Sequence, residues 1–261
     1  MIRVLFLGEI IGIPTTKVLK KRLPEVKEKY GIDFTIANCD GASDGFGVLM
    51  NTLYHLHLFG IDIITTGEHI YNKKDTREGL SKFGYSLRAY NLPKDRENTG
   101  KGYTIVNVKN KNIAIINLLG RTNIQKIFVL DPFYAIEKFL QKTNKNIDMI
   151  IVDFHGGTTS EIQSMHWYLV DRVNLVVGTH LRILTTDNRI IGNKTGVITG
   201  NGFCGVKNSC FGLSIDIETK KIKTGQFSYS KVPEGDIGIQ GIIVDLDEET
   251  NKTLSVELLQ E

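Results

Sequence analysis

Apolar residues in this chain come in short runs that stop abruptly at a glycine or a polar side chain. Arg3–Gly8 reads RVLFLG, Phe34–Ala37 reads FTIA, and Ile61–Thr66 reads IDIITT. Asp148–Phe154 (DMIIVDF) and Asn174–Gly178 (NLVVG) repeat the pattern further on. Such runs, rich in Ile and Val and bounded by breakers, predict buried strands. Between them the spacing turns helical. Leu19, Leu23, Val26 and Tyr30 predict a helix from about Thr16. Pro24 is expected to kink or shorten it and Gly31 to stop it. Leu49, Leu53 and Leu56 mark a second helix, ended by Gly60. Lys73–Phe83 predicts a polar helix and Ala135–Lys142 another; Ile162, Met165, Leu169 and Val173 place one more from about Thr159.

Ser86–Tyr90 reads as a strand, and Tyr103–Val108 with Ile113–Leu119 as a hairpin. Beyond Ile183 the pattern predicts short strands and hairpins only. These are Val197–Thr199, Gly212–Ile217 with Ile222–Phe227, and Gly241–Leu246 with Thr253–Leu259. The order predicts an α/β fold of two mixed sheets packed together, with helices outside. No linker or repeat divides residues 1–261, so one domain is expected.

Composition narrows the class. Of 261 residues, 41% are hydrophobic and 23% charged, the proportions of an ordinary globular protein. The net charge is only +3 and the lysines are scattered, which argues against a dedicated nucleic-acid surface. Three cysteines without a C-x-x-C pair predict a reducing, cytoplasmic setting. No apolar run approaches the roughly 20 residues of a membrane helix.

The candidate chemistry sits where the strands end. Gly67 follows a strand and hands over to Glu68 and His69, at the sheet edge where open α/β folds place ligands. Taken alone, such a pair is more often ordinary loop. Four other strand ends repeat it, with Glu9, Asp40, His155, and His180 followed by Arg182. Carboxylates and imidazoles converging this way suit Mn, Fe or Zn better than Mg. His55, His57 and His166 fall within predicted helices and are expected to be structural or surface residues. G-x-x-x-G at Gly8–Gly12 is not the G-x-G-x-x-G of a dinucleotide site. Cys39 is a poor nucleophile beside Asp40, because a neighbouring carboxylate raises its pKa.

The motifs GEIIG (Gly8–Gly12), NCDGASDGFG (Asn38–Gly47), TTGEH (Thr65–His69), DFHGGTTSE (Asp153–Glu161) and GTHLRILTTDNRI (Gly178–Ile190) stand in the order and strand context of the bacterial YmdB family. With INLLGRT, DPF and the segment Gly241–Thr250, the resemblance runs over essentially the whole chain. The members of that family are calcineurin-like metallophosphoesterases resembling cyclic-nucleotide phosphodiesterases. The resemblance implies a two-sheet sandwich flanked by helices, a dinuclear metal site at the sheet edges, a phosphodiester or cyclic-nucleotide substrate, and homo-oligomers.

Residue by residue, the match is partial. His69 aligns with the family's catalytic His, and His155 and His180 with two ligands of one metal. Glu9 stands where an Asp ligand is expected, Asp40 where a bridging Glu is expected, and Glu68 in place of an Asn ligand. Gly41 replaces a substrate-orienting Asn, and Arg182 replaces the last His ligand. Arginine stays protonated and cannot ligate a metal. One divalent ion is therefore expected rather than two, lined by Asp40, Glu68, His155 and His180. Arg182 is expected to lie between Glu9 and Asp40 in place of the other ion. The expected function is a metal-dependent phosphodiesterase with a reduced site, in which His69 and Arg182 act on the phosphate. The alternative is an inactive homologue that serves as a nucleotide-binding or protein-interaction scaffold.

Overall fold

The computed structural model describes residues 1–93, 100–124, 127–142 and 146–261. The strand Ile2–Leu7 shows how the layers arise. Ile2, Val4 and Phe6 lie on one face, and Leu5 and Leu7 on the other. The first set packs with Phe34, Ile36 and Ile63 against Ile113, Ile115, Ile151 and Val177 of a second sheet. The opposite face packs on Leu19, Leu23, Leu53 and Leu56 of two helices. The second sheet repeats the device: Ala114, Ile116, Val152 and Phe154 turn outward onto Ile136, Phe139, Ile162 and Met165. Burial on both faces is why these strands read as continuous apolar runs.

Each main sheet has six strands. The first runs Thr253–Gln260, Gln240–Leu246, Ile2–Leu7, Phe34–Asn38, Ile63–Thr65, Ser86–Leu87. Its last four strands are parallel, and Gln240–Leu246 pairs antiparallel on both sides. The second runs Arg189–Ile191, Thr195–Ile198, Leu175–Thr179, Met149–His155, Lys111–Leu119, Tyr103–Val108. Its four inner strands are parallel, with an antiparallel strand at each edge. A small third sheet pairs Glu9–Ile10 with Phe203–Val206 and fixes Glu9 beside Phe203. Both hairpins expected at 103–119 and 241–259 are present. Lys109 and Asn110 turn the first with φ of 48° and 65°, as a tight type I′-like turn requires.

Two expectations are corrected. The first helix begins at Gly12 and runs through Pro24 to Tyr30 without being shortened. Pro24 and Lys20 are both solvent-exposed, so the carbonyl that loses its partner faces water. The hairpin expected over Gly212–Phe227 is instead a helix, Ile215–Thr224. Its isoleucines resembled strand residues, but its charges are those of a helix. Asp216 and Glu218 lie in the first turn, Lys221 and Lys223 in the last, and Gly225 ends it at φ 67°. The helix buries none of its residues, so no apolar stripe marked it.

Candidate metal and phosphate site

Parallel strands of both sheets end at one edge, and the polar residues after them meet there. Glu68 leaves the first sheet and His155 closes a strand of the second, yet Glu68 Oε2 and His155 Nε2 are 2.8 Å apart. His180 Nδ1 lies 3.2 Å from His155 Nε2 and 3.3 Å from Glu68 Oε1. Gly67 makes this approach possible: a Cβ there would stand 2.2 Å from His155 Nε2. His180 and Arg182 have φ of 81° and 54°, a left-handed zigzag that turns both side chains into the cluster. Such backbone costs about 1–3 kcal/mol per residue and persists where the surroundings enforce it.

Asp40 turns toward His69, and Arg182, expected between Glu9 and Asp40, bonds Glu9 instead. Asp40 Oδ1 accepts from the backbone N–H of Gly67 at 2.7 Å, and its Oδ2 lies 2.7 Å from His69 Nδ1. The nearest contact with the other imidazole is 3.9 Å, from Asp40 Oδ2 to His155 Nε2. Asp40 thus holds His69 in position and leaves its Nε2 without a partner among the described residues. Arg182 grips Glu9 with two bonds, Nε to Oε2 at 2.9 Å and Nη2 to Oε1 at 2.7 Å, and Nη2 also reaches the carbonyl of Gly45. It makes no hydrogen bond to Asp40. Gly41 borders this pair: a Cβ would fall 2.8 Å from Glu9 Oε1 and 3.2 Å from Arg182 Nη2.

The cluster shifts its own proton equilibria. Burial opposes ionisation of Glu68, but hydrogen bonds from His155 and His180 outweigh it and hold the carboxyl well below its usual range. Burial likewise opposes protonation of His155, yet Glu68 and the nearby carboxylates push it up to about 9. His69 is raised too, against burial, by its bond to Asp40. Burial, with Cys204, Glu9 and Asp40 adding to it, pushes the Cys39 thiol far up, which leaves it inert as a nucleophile.

The residues fit a divalent ion. Glu68, His155 and His180 bring ligand atoms within 4.8 Å of one another, and so do Asp40, Glu68 and His69. Tetrahedral ligands on bonds of about 2.0–2.1 Å stand roughly 3.3 Å apart, close to the separations in the first group. Behind the cluster, Thr179 donates to Asp153 Oδ1 at 2.6 Å, so its oxygen accepts the Nδ1–H of His155 at 2.9 Å. That relay fixes the tautomer and presents Nε2 to the cluster. Asn38 donates to the other oxygen of Asp153. The sequence carried a signal for this buried network. Asn38, Asp153 and Thr179 are polar residues at inward positions of otherwise apolar strands.

A cavity of about 510 Å³ opens over the cluster, with Glu68, His69, His180 and Arg182 on its surface. Phe46, Phe211, Leu213 and Glu218 supply further wall, and none of these was singled out from the sequence. His55 is exposed and His57 half-buried on their helix, and His166 is buried; none of them lines the cavity.

A two-sheet sandwich flanked by helices, with carboxylates and imidazoles gathered at one sheet edge, is the architecture of the metallophosphoesterase and 5'-nucleotidase domains. A profile of the YmdB-like protein family matches residues 5–259, and the chain belongs to that family. It is 33% identical over 255 residues to the 2',3'-cyclic-nucleotide 2'-phosphodiesterase of Bacillus subtilis, covering 98% of this chain and 95% of that one. The crystal structure of a phosphatase from Mycoplasma pneumoniae superimposes with a TM-score of 0.93 at 26% identity, over 100% of this chain and 93% of that one. A 5'-nucleotidase precursor from Thermus thermophilus shares the fold, with a TM-score of 0.58 at 12% identity over 99% of this chain and 54% of its own. No helix among the described residues is long and apolar enough to cross a membrane.

Proposed function

We propose that the protein is a metal-dependent phosphodiesterase acting on cyclic nucleotides, with one divalent ion and one arginine where the family has two ions. The observation that carries this reading is the convergence of Glu68, His155 and His180 within 4.8 Å, beside the His69–Asp40 pair. The Bacillus subtilis relative supplies the substrate class.

Each residue has a role that follows from its contacts. Glu68, His155 and His180 would hold the ion, with Asp40 adjacent. A divalent ion held there supplies Lewis-acid stabilisation of a phosphoryl oxygen. Arg182 is anchored through Nε and Nη2, while Nη1 has no partner among the described residues and is left to meet a phosphate oxygen. His69, whose charged form Asp40 favours, gives its Nε2 proton to the leaving oxygen as a solvent water forms the new P–O bond. Asp40 orients the imidazole as the carboxylate does in a catalytic triad. Gly41 leaves out the amide that would orient the substrate, which slows turnover relative to the two-ion enzymes.

The Glu9–Arg182 pair also supports a second reading, an inert binding scaffold with half its metal site closed. One experiment separates the two. The metal-loaded protein, with Mn, Fe or Zn, is expected to hydrolyse a cyclic nucleotide or bis(p-nitrophenyl) phosphate. His69→Ala is expected to lower kcat by about 10²- to 10⁴-fold with metal content retained. Equal turnover by both proteins would reject the catalytic reading.

A further inference from the structure

The wall of the cavity contains a carboxylate that the reaction has no use for. Glu218 and Ile222, one helical turn apart on Ile215–Thr224, both line it. Glu218 is not a loose surface group. Its Oε1 accepts from Lys221 Nζ at 2.8 Å and from Ser230 Oγ at 2.6 Å, so the helix and the returning chain fix its direction. Lys221 also bonds Ser230, which ties the three together. Among the described residues no donor reaches Oε2. Lys221 balances its charge, and the open oxygen can only accept, so it has no bond to offer a phosphate oxygen. It must instead face a part of the substrate that offers N–H or O–H groups.

Its neighbours say which part. Phe46 and Phe211 present rings to the same cavity, and Leu213 and Ile222 add apolar surface. Phe211 is held at φ 56°, a left-handed conformation that a bulky residue adopts only under constraint. Aromatic faces beside a fixed acceptor are the elements that recognise a nucleobase, by stacking and by its hydrogen-bonding edge. The bases differ at that edge. Guanine sets an N–H and an amino group side by side. Adenine places a ring-nitrogen acceptor next to its amino group, and uracil flanks its N–H with two carbonyls. An acceptor-only carboxylate meets repulsion from the second and third and none from the first.

We infer that Glu218 reads the base of the nucleotide and selects guanine. This rests on the proposal that the cavity takes a nucleotide, and goes beyond it in assigning the residue and the base.

The test measures binding, so that it does not depend on turnover. Dissociation constants of the 3'-phosphates of guanosine, inosine, adenosine and uridine are measured calorimetrically on the full, manganese-loaded chain. Inorganic phosphate is measured alongside. The guanosine compound is expected to bind tightest, ahead of inosine, which lacks the amino group. Glu218→Gln is expected to weaken guanosine binding about tenfold or more and to erase its lead over inosine, the scale of one hydrogen bond to a charged group. Glu218→Asp, which keeps the charge on a shorter arm, is expected to retain part of the preference, and circular dichroism confirms that both variants fold. Nucleotides that bind equally whatever the base, or a preference that survives Glu218→Gln, would overturn this inference alone. If neither nucleotides nor phosphate bind, the nucleotide reading of the cavity falls and this inference falls with it.

Discussion

Arg182 and Glu9 form a two-point ion pair, Nε to Oε2 at 2.9 Å and Nη2 to Oε1 at 2.7 Å, with Glu9 1% exposed. Glu9 is buried with Arg182 as its ion-pair partner, and Arg182 is half-buried with Glu9 as its closest charge. Removing one partner of such a pair leaves a buried charge uncompensated, at a cost of about 3–5 kcal/mol, whereas replacing both is often close to neutral. Arg182→Met is therefore expected to lower the unfolding free energy by about that amount, and Glu9→Gln with Arg182→Met to recover most of it. Urea denaturation of Arg182→Met, Glu9→Gln, the double variant and the parent checks this. An additive double variant would mean that the two residues do not act as a pair.

Gly41 links that pair to the metal count. Any side chain at this position meets Glu9 and Arg182 within about a van der Waals contact, and Ile11 Cδ1 at 2.6 Å. Gly41→Asn alone is thus expected to disturb the pair and destabilise the protein. Combined with Glu9→Asp and Arg182→His, it restores the family's residues at positions 9, 41 and 182, the last being the metal ligand that Arg182 replaces. Elemental mass spectrometry is expected to find about one ion per chain in the parent and two in the triple variant. One ion in both would reject the idea that Arg182 stands in for a cation.

Much of this was legible in the chain. The strand ends carrying Glu9, Asp40, Glu68, His155 and His180 could be read because a sheet edge follows from an apolar run and a breaker; Asp40, Glu68, His155 and His180 lie together there, and Glu9 pairs with Arg182. What could not be read was how they pair. Asp40 turned to His69 and not to Arg182 because two backbone N–H groups, of Gly67 and His69, draw its carboxylate that way. Turn geometry of that kind leaves no trace in residue spacing. The helix Ile215–Thr224 escaped for the opposite reason. It buries nothing, so periodicity, which records burial, had nothing to record. The part of the cavity that it builds was missed with it.

His155 ties metal binding to pH. An imidazole must be neutral to ligate, and in the metal-free protein Glu68 and its neighbours raise the pKa of His155 to about 9. Below that value each ion bound displaces this proton, so apparent affinity is expected to climb roughly tenfold per pH unit through the neutral range. The same shift gives the sign of the stability change. The folded pKa lies above the unfolded value of about 6.5, so the metal-free protein has this stabilisation in full below about pH 6.5. It loses roughly 3 kcal/mol of it as pH rises to about 9. Chemical denaturation of chelator-treated protein across that window is expected to show the decline, and His155→Gln to flatten it. An unchanged slope in the variant would place the titration elsewhere.

His166 predicts the reverse dependence, at a position remote from the chemistry. It is 2% exposed on its helix, and neither ring nitrogen has a well-aligned hydrogen-bond partner among the described residues. Burial drives its pKa down to about 4, against the pull of Asp187. The unfolded chain takes up this proton near pH 6.5 while the folded chain refuses it, so stability falls as pH drops from about 6.5 to about 4. The loss approaches roughly 3 kcal/mol once both states are protonated. A neutral ring that makes no such bond gains nothing from being histidine. His166→Phe keeps the ring volume and removes the proton site, so it is expected to be at least as stable at pH 7 and clearly more stable near pH 5. Melting temperatures of parent and variant from pH 7 to pH 4.5 would show the two curves diverging on the acid side. Parallel curves would mean that His166 keeps its proton in the fold and has a partner there.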